Sequence, residues 1–209
     1  MSQPRFDQSS CDQLADCVRE IEAQTDAEIV IAVRARSGDY RHADYLFGFI
    51  LSFAGLLFLL FAPFDFQHYW VAIDVLLLFA LGAFLCSRSN ALRRLLTTEE
   101  YRADSVRTGA AAMFYEAGIA NTDAEMGVLI YLSLLERRLE LIADRGVLKA
   151  APPLEWNERV YELHRAGRVP HLETMRQRIQ ELGVLLAEHL PPTGENPNEL
   201  PDMPRFDLK

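Results

Sequence analysis

The chain has 209 residues and a formal net charge of −9, and half of its residues are hydrophobic. This length fits one domain of ordinary size with additions, and it excludes a large multi-domain enzyme. The excess of acidic over basic residues opposes the broad basic surface that non-specific nucleic-acid binding requires, so we expect no nucleic-acid partner.

The N-terminal segment predicts one helix followed by one strand. Ser10 and Gln13 form a capping box, and apolar residues recur behind them at helical spacing, which predicts a helix over residues 9–24. Residues 27–36, AEIVIAVRAR, are rich in β-branched side chains and predict a buried strand. Charged residues interrupt this whole segment, so we expect no cleaved export signal in it.

Two apolar stretches predict a transmembrane helical hairpin over residues 45–87. Residues 45–62, YLFGFILSFAGLLFLLFA, would form a helix about 27 Å long, which nearly matches the hydrocarbon core of a bilayer. A polar break over residues 63–68 precedes a second apolar run over residues 69–87, in which Asp74 is the one charged residue. A buried helix pair in a soluble core is the alternative, but it requires a far larger protein around it.

Positive charges predict the orientation of this hairpin. Three arginines precede the first span and three follow the second, whereas the connecting loop has none: Arg34, Arg36, Arg41, Arg88, Arg93 and Arg94. Such a distribution places both termini in the cytoplasm. The sequence therefore predicts a multi-pass protein of the cell's inner (plasma) membrane, with the lipid bilayer as a partner.

Asp74 and a row of small residues are the features of interest within the spans. A carboxylate at the bilayer centre costs roughly 3 kcal/mol on insertion scales, but Asp74 lies about 7.5 Å along the helix from Tyr69, within reach of surface water. We interpret it as a partly hydrated carboxylate, with an ion relay or a contact to a partner helix as alternatives. Gly48, Ser52 and Gly55 share one helix face and predict close packing within the hairpin, with self-association into a homo-oligomer as the alternative.

The remaining sequence predicts more helices and a strand hairpin. Thr97 and Glu100 form a second capping box before a helix that Gly118 ends. Further elements are strands over residues 127–134 and 139–143, which form an antiparallel hairpin that extends the sheet begun at residue 27, and helices over residues 154–166 and 172–190. Residues 191–209 contain five of the ten prolines and predict a disordered, Pro-rich acidic tail.

These elements predict a split domain. Residues 1–42 and 89–190 form one cytoplasmic α/β domain, since the two ends of a membrane hairpin lie about one interhelical distance, 8 to 10 Å, apart. The predicted fold is thus a mixed sheet flanked by helices, interrupted by a two-helix transmembrane hairpin.

Two stretches of this sequence resemble the TPM domain, known from thylakoid lumen proteins and many bacterial membrane proteins. They are TDAEIVIAV, after the first helix, and GVLIYLSLLERRLELIADRGV, which ends near Asp144, Arg145 and Gly146. The resemblance covers about two thirds of the chain and implies a mixed sheet flanked by helices. Roles assigned in the family include acid phosphatase activity, photosystem II repair and assistance to a receptor channel, so it implies no single function.

The resemblance also implies an acidic site. Asp144 aligns with the family's acidic site, and Glu28 and Asp123 are the further candidates. Carboxylates that converge at a sheet edge could hold Ca²⁺ or Mg²⁺, and such a cation could polarise a phosphate oxygen. The alternative is structural: Asp144 caps a turn and residues 121–125 form a solvated loop.

Two functions follow from the sequence. We expect a non-enzymatic membrane-anchored module that binds or maintains other membrane proteins, and the alternative is a metal-dependent phosphohydrolase of the acid-phosphatase kind. The three cysteines predict no disulfide framework, and His164, His171 and His189 lack the spacing of a metal cluster.

Overall fold

The computed structural model describes residues 8–63, 68–122, 124–194, 200 and 203–208. The chain divides into two compact units. We name residues 1–37 with 103–209 the sheet unit, and residues 38–102 the hairpin unit.

Eight α-helices and four strands are formed by the described residues. In chain order they are α1 (Gln8–Glu22), β1 (Glu28–Arg34), α2 (Arg41–Phe61), α3 (His68–Arg88), α4 (Asn90–Leu95), α5 (Glu99–Glu116), β2 (Gly127–Ser133), β3 (Arg138–Ala143), α6 (Arg145–Ala150), α7 (Pro153–Arg168), α8 (Leu172–His189) and β4 (Arg205–Asp207). A single 3-10 turn, Ile119–Asn121, follows Gly118, whose positive φ of 77° ends α5 as predicted.

The four strands form one mixed sheet in the order β3-β2-β1-β4. β1 runs parallel to both β2 and β4, and β2 and β3 form an antiparallel pair. Glu28 pairs with Gly127 where β1 and β2 begin, and Arg34 pairs with Ser133 where both strands end. The predicted strand hairpin and its addition to the first strand are confirmed.

Helices cover both faces of this sheet, which explains why β1 is a nearly continuous apolar run. One face packs with α1, α7 and α8, and the other packs with α5. The first core contains Leu14, Ile31, Leu163 and Ile179, among other residues. The second contains Val30, Ala32, Val106, Ala110 and Phe114. Alternate residues of β1 thus enter opposite cores, as the pleat requires.

The prediction of a disordered tail over residues 191–209 is wrong for the C-terminal part that the structure describes. β4 pairs with β1, and the Ala35 N–H donates a hydrogen bond of 2.9 Å to the Asp207 carbonyl. Phe206 packs against the first core. Nearer the start of the tail, Thr193 donates to the Asp26 carboxylate. The physical reason is that the open edge of β1 offers unpaired backbone groups, which three extended residues can pair.

The hairpin unit contains two helices that are long and apolar enough to cross a membrane, Arg41–Phe61 and Trp70–Arg88. They pack closely at small residues. A Cβ atom on Gly48 would lie 2.7 Å from the Phe79 carbonyl oxygen, and one on Gly82 would lie 2.9 Å from Gly48 Cα. The row of small residues therefore packs the hairpin internally, as predicted.

The hairpin unit includes more residues than the hairpin that the sequence predicts. Residues 89–102 were expected in the split α/β domain, but they belong to the hairpin unit. A buried ion pair between Asp44 of α2 and Arg93 of α4 holds this segment against the base of the hairpin.

Candidate functional site

The predicted acidic residues lie at the edge of the sheet where β1 and β2 begin. Glu28 is the first residue of β1 and pairs with Gly127, whose carbonyl accepts a hydrogen bond of 2.9 Å from the Asp144 N–H. Glu28 and Asp144 thus lie on either side of β2, about 10 Å apart by strand spacing. Asp123 lies outside the described residues. The structure therefore brings two of the three candidates to one edge.

The Asp144 carboxylate caps α6. Its Oδ1 accepts a hydrogen bond of 2.7 Å from the Arg145 N–H, the first N–H of this helix, which has no carbonyl partner within the helix. The Gly146 N–H donates to the Glu125 carbonyl at 2.9 Å, and a Cβ atom on Gly146 would lie 2.7 Å from that carbonyl. Residue 146 therefore has to be glycine for this turn to close. This arrangement fits the structural role that the sequence allows for Asp144.

Other carboxylates at the same edge also bind the backbone. Glu22 Oε1 accepts a hydrogen bond of 2.8 Å from the Ile29 N–H, at the start of β1. Asp26 accepts from both the N–H and the hydroxyl of Thr193. These acids hold the loop before β1, and Glu28 itself is buried, with 4% of its surface exposed. Sequence reasoning named Glu28 and missed Glu22, because a bond from a helix end to a following strand has no sequence signature.

A second polar cluster lies at the opposite edge, where the parallel strands end. It consists of Ser37, Tyr131, Ser133 and Glu136. The Ser37 hydroxyl lies 2.9 Å from the Tyr131 hydroxyl and donates to Ser133 Oγ at 2.8 Å. The Glu136 carboxylate accepts from the Ser37 N–H at 2.8 Å and from the Ser133 hydroxyl.

Three members of the Ser37–Glu136 cluster are buried, and Ser37 is partly exposed. Ser133 is fully buried and Glu136 is 4% exposed. A Cβ atom on Gly109 of α5 would lie 2.7 Å from the Tyr131 hydroxyl, so the helix backbone covers the tyrosine. Burial raises the pKa of Tyr131, and the hydrogen bond with Ser37 offsets part of this increase. The cluster fixes the point at which the chain leaves β1, and its burial favours a structural role over catalysis.

The Ser37–Glu136 cluster was missed by sequence reasoning. The sequence predicts only a connection between two strands over Leu135 to Arg138, and Ser37 directly follows the strand predicted over residues 27–36. One signal was present: acidic and hydroxyl residues directly follow two buried strands, and the carboxyl ends of parallel strands meet at one edge.

Two histidines, His164 on α7 and His189 on α8, lie near glutamates, whereas His171 precedes α8. His164 Nε2 lies 3.5 Å from a Glu140 oxygen, and His189 Nε2 lies 3.7 Å from a Glu155 oxygen. Among the described residues, one group with metal-ligand chemistry has atoms within 4.8 Å of one another: Glu155, Glu188 and His189. Both glutamates are exposed, and such surface groups are common without an ion, so we assign no metal centre there.

The hairpin unit contains a buried ion pair that sequence reasoning missed. Arg93 donates two hydrogen bonds to the Asp44 carboxylate, of 2.9 and 2.6 Å. The hydrogen bond with Asp44 raises the pKa of Arg93, so this side chain is a fixed cation. Nearby, the Cys86 thiol donates to the Ala43 carbonyl at 3.6 Å. Arg93 thus serves the base of the hairpin, although the sequence had counted it only as a topology signal.

Asp74 lies on α3 in a groove between the two apolar helices. The groove has a volume of about 300 Å³ and is lined by Gly55, Phe58, Leu59, Asp74, Leu77, Leu78 and Leu81. Asp74 is the one ionisable residue in this lining. The carboxylate is thus partly buried among apolar side chains.

Comparison with known proteins informs the fold alone. No family model matches the chain, and no curated protein sequence matches it. A solved structure is similar: the NMR structure of the BA42 protein from the psychrophilic bacterium Bizionia argentinensis, with a TM-score of 0.58. The two chains are 14% identical, and the similarity covers 97% of this chain and 96% of BA42.

Proposed function

We propose that this chain is an inner-membrane protein with a TPM-like cytoplasmic domain, a non-enzymatic module that binds or maintains other membrane proteins. The hairpin unit anchors it with both termini in the cytoplasm. Support for the TPM-like assignment comes from the residues of β1 and of the β2–β3 hairpin. Support for the cytoplasmic orientation comes from the arginines at both ends of the hairpin.

The observation that carries this proposal is the exposed apolar surface of α2 and α3. In the most apolar 18-residue window of each helix, 17% and 11% of the residues are buried. Large side chains face outward along both helices, including Phe49, Phe58, Leu76 and Leu77, each at least 60% exposed. Such a surface would aggregate in water, whereas a bilayer solvates it.

Membrane insertion is tested by washing isolated membranes at alkaline pH. We expect the whole chain to stay in the membrane pellet, and a variant with residues 45–87 replaced by a Gly/Ser linker to be released. Reporter enzymes that are active on only one side of the membrane, fused at either terminus, test the orientation. Release of the whole chain, or termini on opposite sides, contradicts the proposal.

The roles of the acidic residues favour a binding module over an enzyme. Asp144 caps α6, Glu22 binds the backbone of β1, and Glu136 is enclosed in its cluster. These bonds occupy carboxylates that a phosphohydrolase would direct toward a metal ion and its substrate.

An assay with a generic phosphate ester separates the two functions. We expect no hydrolysis by the purified whole chain, with or without Ca²⁺ or Mg²⁺. Hydrolysis that requires the cation and is lost in Asp144→Asn would contradict the binding function and support the phosphohydrolase. The matched control is Asp12→Asn, an exposed acid on α1.

Partner binding is tested by purification from native membranes in mild detergent. We expect one membrane protein to co-purify in constant proportion with the whole chain, and to be lost when the sheet unit is removed. A chain that purifies alone, while its deletion still changes the cell's membrane proteins, contradicts direct binding.

A further inference from the structure

The groove around Asp74, which we name the Asp74 groove, has a shape into which a third helix can pack. On α3 its lining residues are Asp74, Leu77, Leu78 and Leu81, at the spacing i, i+3, i+4 and i+7. This spacing forms a continuous stripe along one face of a helix. Gly55, Phe58 and Leu59 form the matching stripe on α2. The groove therefore runs along both helices and offers two parallel walls to a third helix.

The walls of the groove are open. Phe58 is 64% exposed and Leu77 is 62% exposed. Gly55 does not widen the groove, because the Leu78 side chain already occupies the space beside it, 2.1 Å from where a Cβ atom would lie. An incoming helix would thus contact side chains rather than backbone.

The charge of the groove is uncompensated within the described residues. No side chain that the structure describes forms a hydrogen bond or an ion pair with Asp74. Residues 45–87 contain no lysine or arginine, so the spans themselves provide no cation. A carboxylate in hydrocarbon is stabilised by an opposite charge or a donor on a neighbouring helix.

Charge also discriminates between occupants. A second copy of this chain would bring its own Asp74 to the same depth, and two carboxylates repel each other. A helix with lysine or arginine at that depth supplies the complementary charge. Asp74 lies six residues into α3, about 9 Å from its start, so a long basic side chain can reach both the carboxylate and the membrane surface.

We propose that the Asp74 groove binds a transmembrane helix of a partner protein that carries a lysine or arginine in the leaflet where the two spans connect. This inference rests on the proposed function, since it requires that the hairpin unit spans a bilayer. It adds a contact within the membrane to the partner binding that we propose for the sheet unit.

The test uses model transmembrane peptides and the whole chain in vesicles of zwitterionic lipid. One peptide is a Leu/Ala helix with a single lysine about 9 Å from its outer end, and its control has leucine in place of the lysine. Energy transfer from labelled protein to labelled peptide measures binding. We expect the lysine peptide to bind about tenfold more tightly, as one polar interhelical contact allows.

Asp74→Asn is the key variant and Ser87→Ala, near the other end of α3, is its matched control. We expect Asp74→Asn to lose the preference for the lysine peptide, and the control to keep it. Circular dichroism checks that both variants keep their helix content. Equal binding of the two peptides to the whole chain, or an unchanged preference in Asp74→Asn, overturns the proposal.

Other occupants give different results in the same vesicles. Energy transfer between two labelled copies that depends on Asp74 would assign the groove to self-association instead. Proton leakage that depends on Asp74, without a peptide preference, would assign it to a relay. Either result overturns this inference but leaves the membrane anchor intact, whereas release by the alkaline wash removes the anchor itself.

Discussion

Asp44 and Arg93 carry opposite charges and are both buried. Their side chains are 8% and 9% exposed, and two hydrogen bonds join them. Because each charge has lost its hydration, removal of one leaves the other buried and unneutralised. Replacement of both by apolar residues of similar volume removes the charges together and is often nearly neutral. Each of the two residues therefore stabilises the protein only while the other is present.

We expect Asp44→Asn to lower the free energy of unfolding by about 3 kcal/mol, since it leaves the Arg93 cation buried. The double variant Asp44→Leu, Arg93→Met should recover most of this loss. Thermal unfolding of the detergent-solubilised protein, followed by circular dichroism, measures both. Arg41→Ala is the control, because Arg41 forms an exposed pair with Asp39 and should change little. Equal losses in the single and double variants would contradict the ionic explanation.

The buried thiol of Cys17 reports on the packing of the sheet unit. Cys17 lies in the first core, and burial raises its pKa from 9.0 to about 11. The thiolate is the reactive form, so we expect iodoacetamide to modify Cys17 at pH 8 at least about a hundredfold more slowly in the folded protein than in guanidinium chloride. Mass spectrometry measures the adduct, and Cys17→Ala identifies it. Equal rates in the two solvents would show that α8, whose Arg176 carbonyl faces this thiol, does not cover it.

The raised pKa of Cys17 also links stability to pH. The folded state disfavours the thiolate, so the ionisation of Cys17 has no effect on stability below about pH 9, and stability decreases as pH rises toward 11. In Cys17→Ala this decrease should be smaller than in the unchanged protein. Guanidinium unfolding at pH 8 and pH 10.5 makes the comparison, and identical pH dependence in both proteins would contradict it.

Among the strands, β4 is the one that the sequence does not predict. The longer helices and β1 to β3 have local signals, namely apolar periodicity, β-branched runs and capping residues, and these were predicted. The six-residue helices α4 and α6 were not predicted. β4 has three residues with one apolar side chain, which is too short for any periodicity. Its partner is also distant, since Arg205 pairs with Ala32. Only the tertiary structure shows that the edge of β1 needs this strand.

Phe206 is the side chain through which β4 contacts the first core. We expect Phe206→Ala to lower the free energy of unfolding of the sheet unit by about 1 to 2 kcal/mol, because the phenyl ring is only partly buried. Urea unfolding followed by Trp156 fluorescence measures the change. Leu208→Ala is the matched control, since Leu208 is 41% exposed and follows β4. An equal effect of the two substitutions would show that β4 does not pack as described.

At the scale of the whole molecule, the sheet unit combines two separate segments of the chain, which the sequence predicted from the hairpin between them. The sites were predicted less completely. Asp144 follows from its position at the end of a predicted strand, whereas Glu28 was named only from the resemblance to the TPM domain. The Ser37–Glu136 cluster and the Asp44–Arg93 pair were not, because each joins residues that are 49 or more positions apart and that form hydrogen bonds only in the folded chain.

The sheet unit should fold without the hairpin unit. Ser37 lies beside α5: a Cβ atom on Gly109 would lie 3.4 Å from Ser37 Cβ. Ala103 lies six residues before Gly109, about 9 Å along a helix, so a Gly/Ser linker of about eight residues can replace residues 38–102. We expect a water-soluble protein with one cooperative unfolding transition, measured by circular dichroism in urea. Gradual unfolding without a transition would show that the sheet unit depends on the segment removed.

β1 lies between β2 and β4 in the sheet. These two partner strands are far apart in the sequence, so the ribosome synthesises them at different times. During translation, β1 and the two apolar helices leave the ribosome long before β4 does, because Arg205 is made 173 residues after Ala32. In the nascent chain, one edge of β1 is therefore unpaired while the two apolar helices are already exposed to water. Chaperones that hold extended, unpaired segments are thus the cellular factors on which the yield of this protein should most depend.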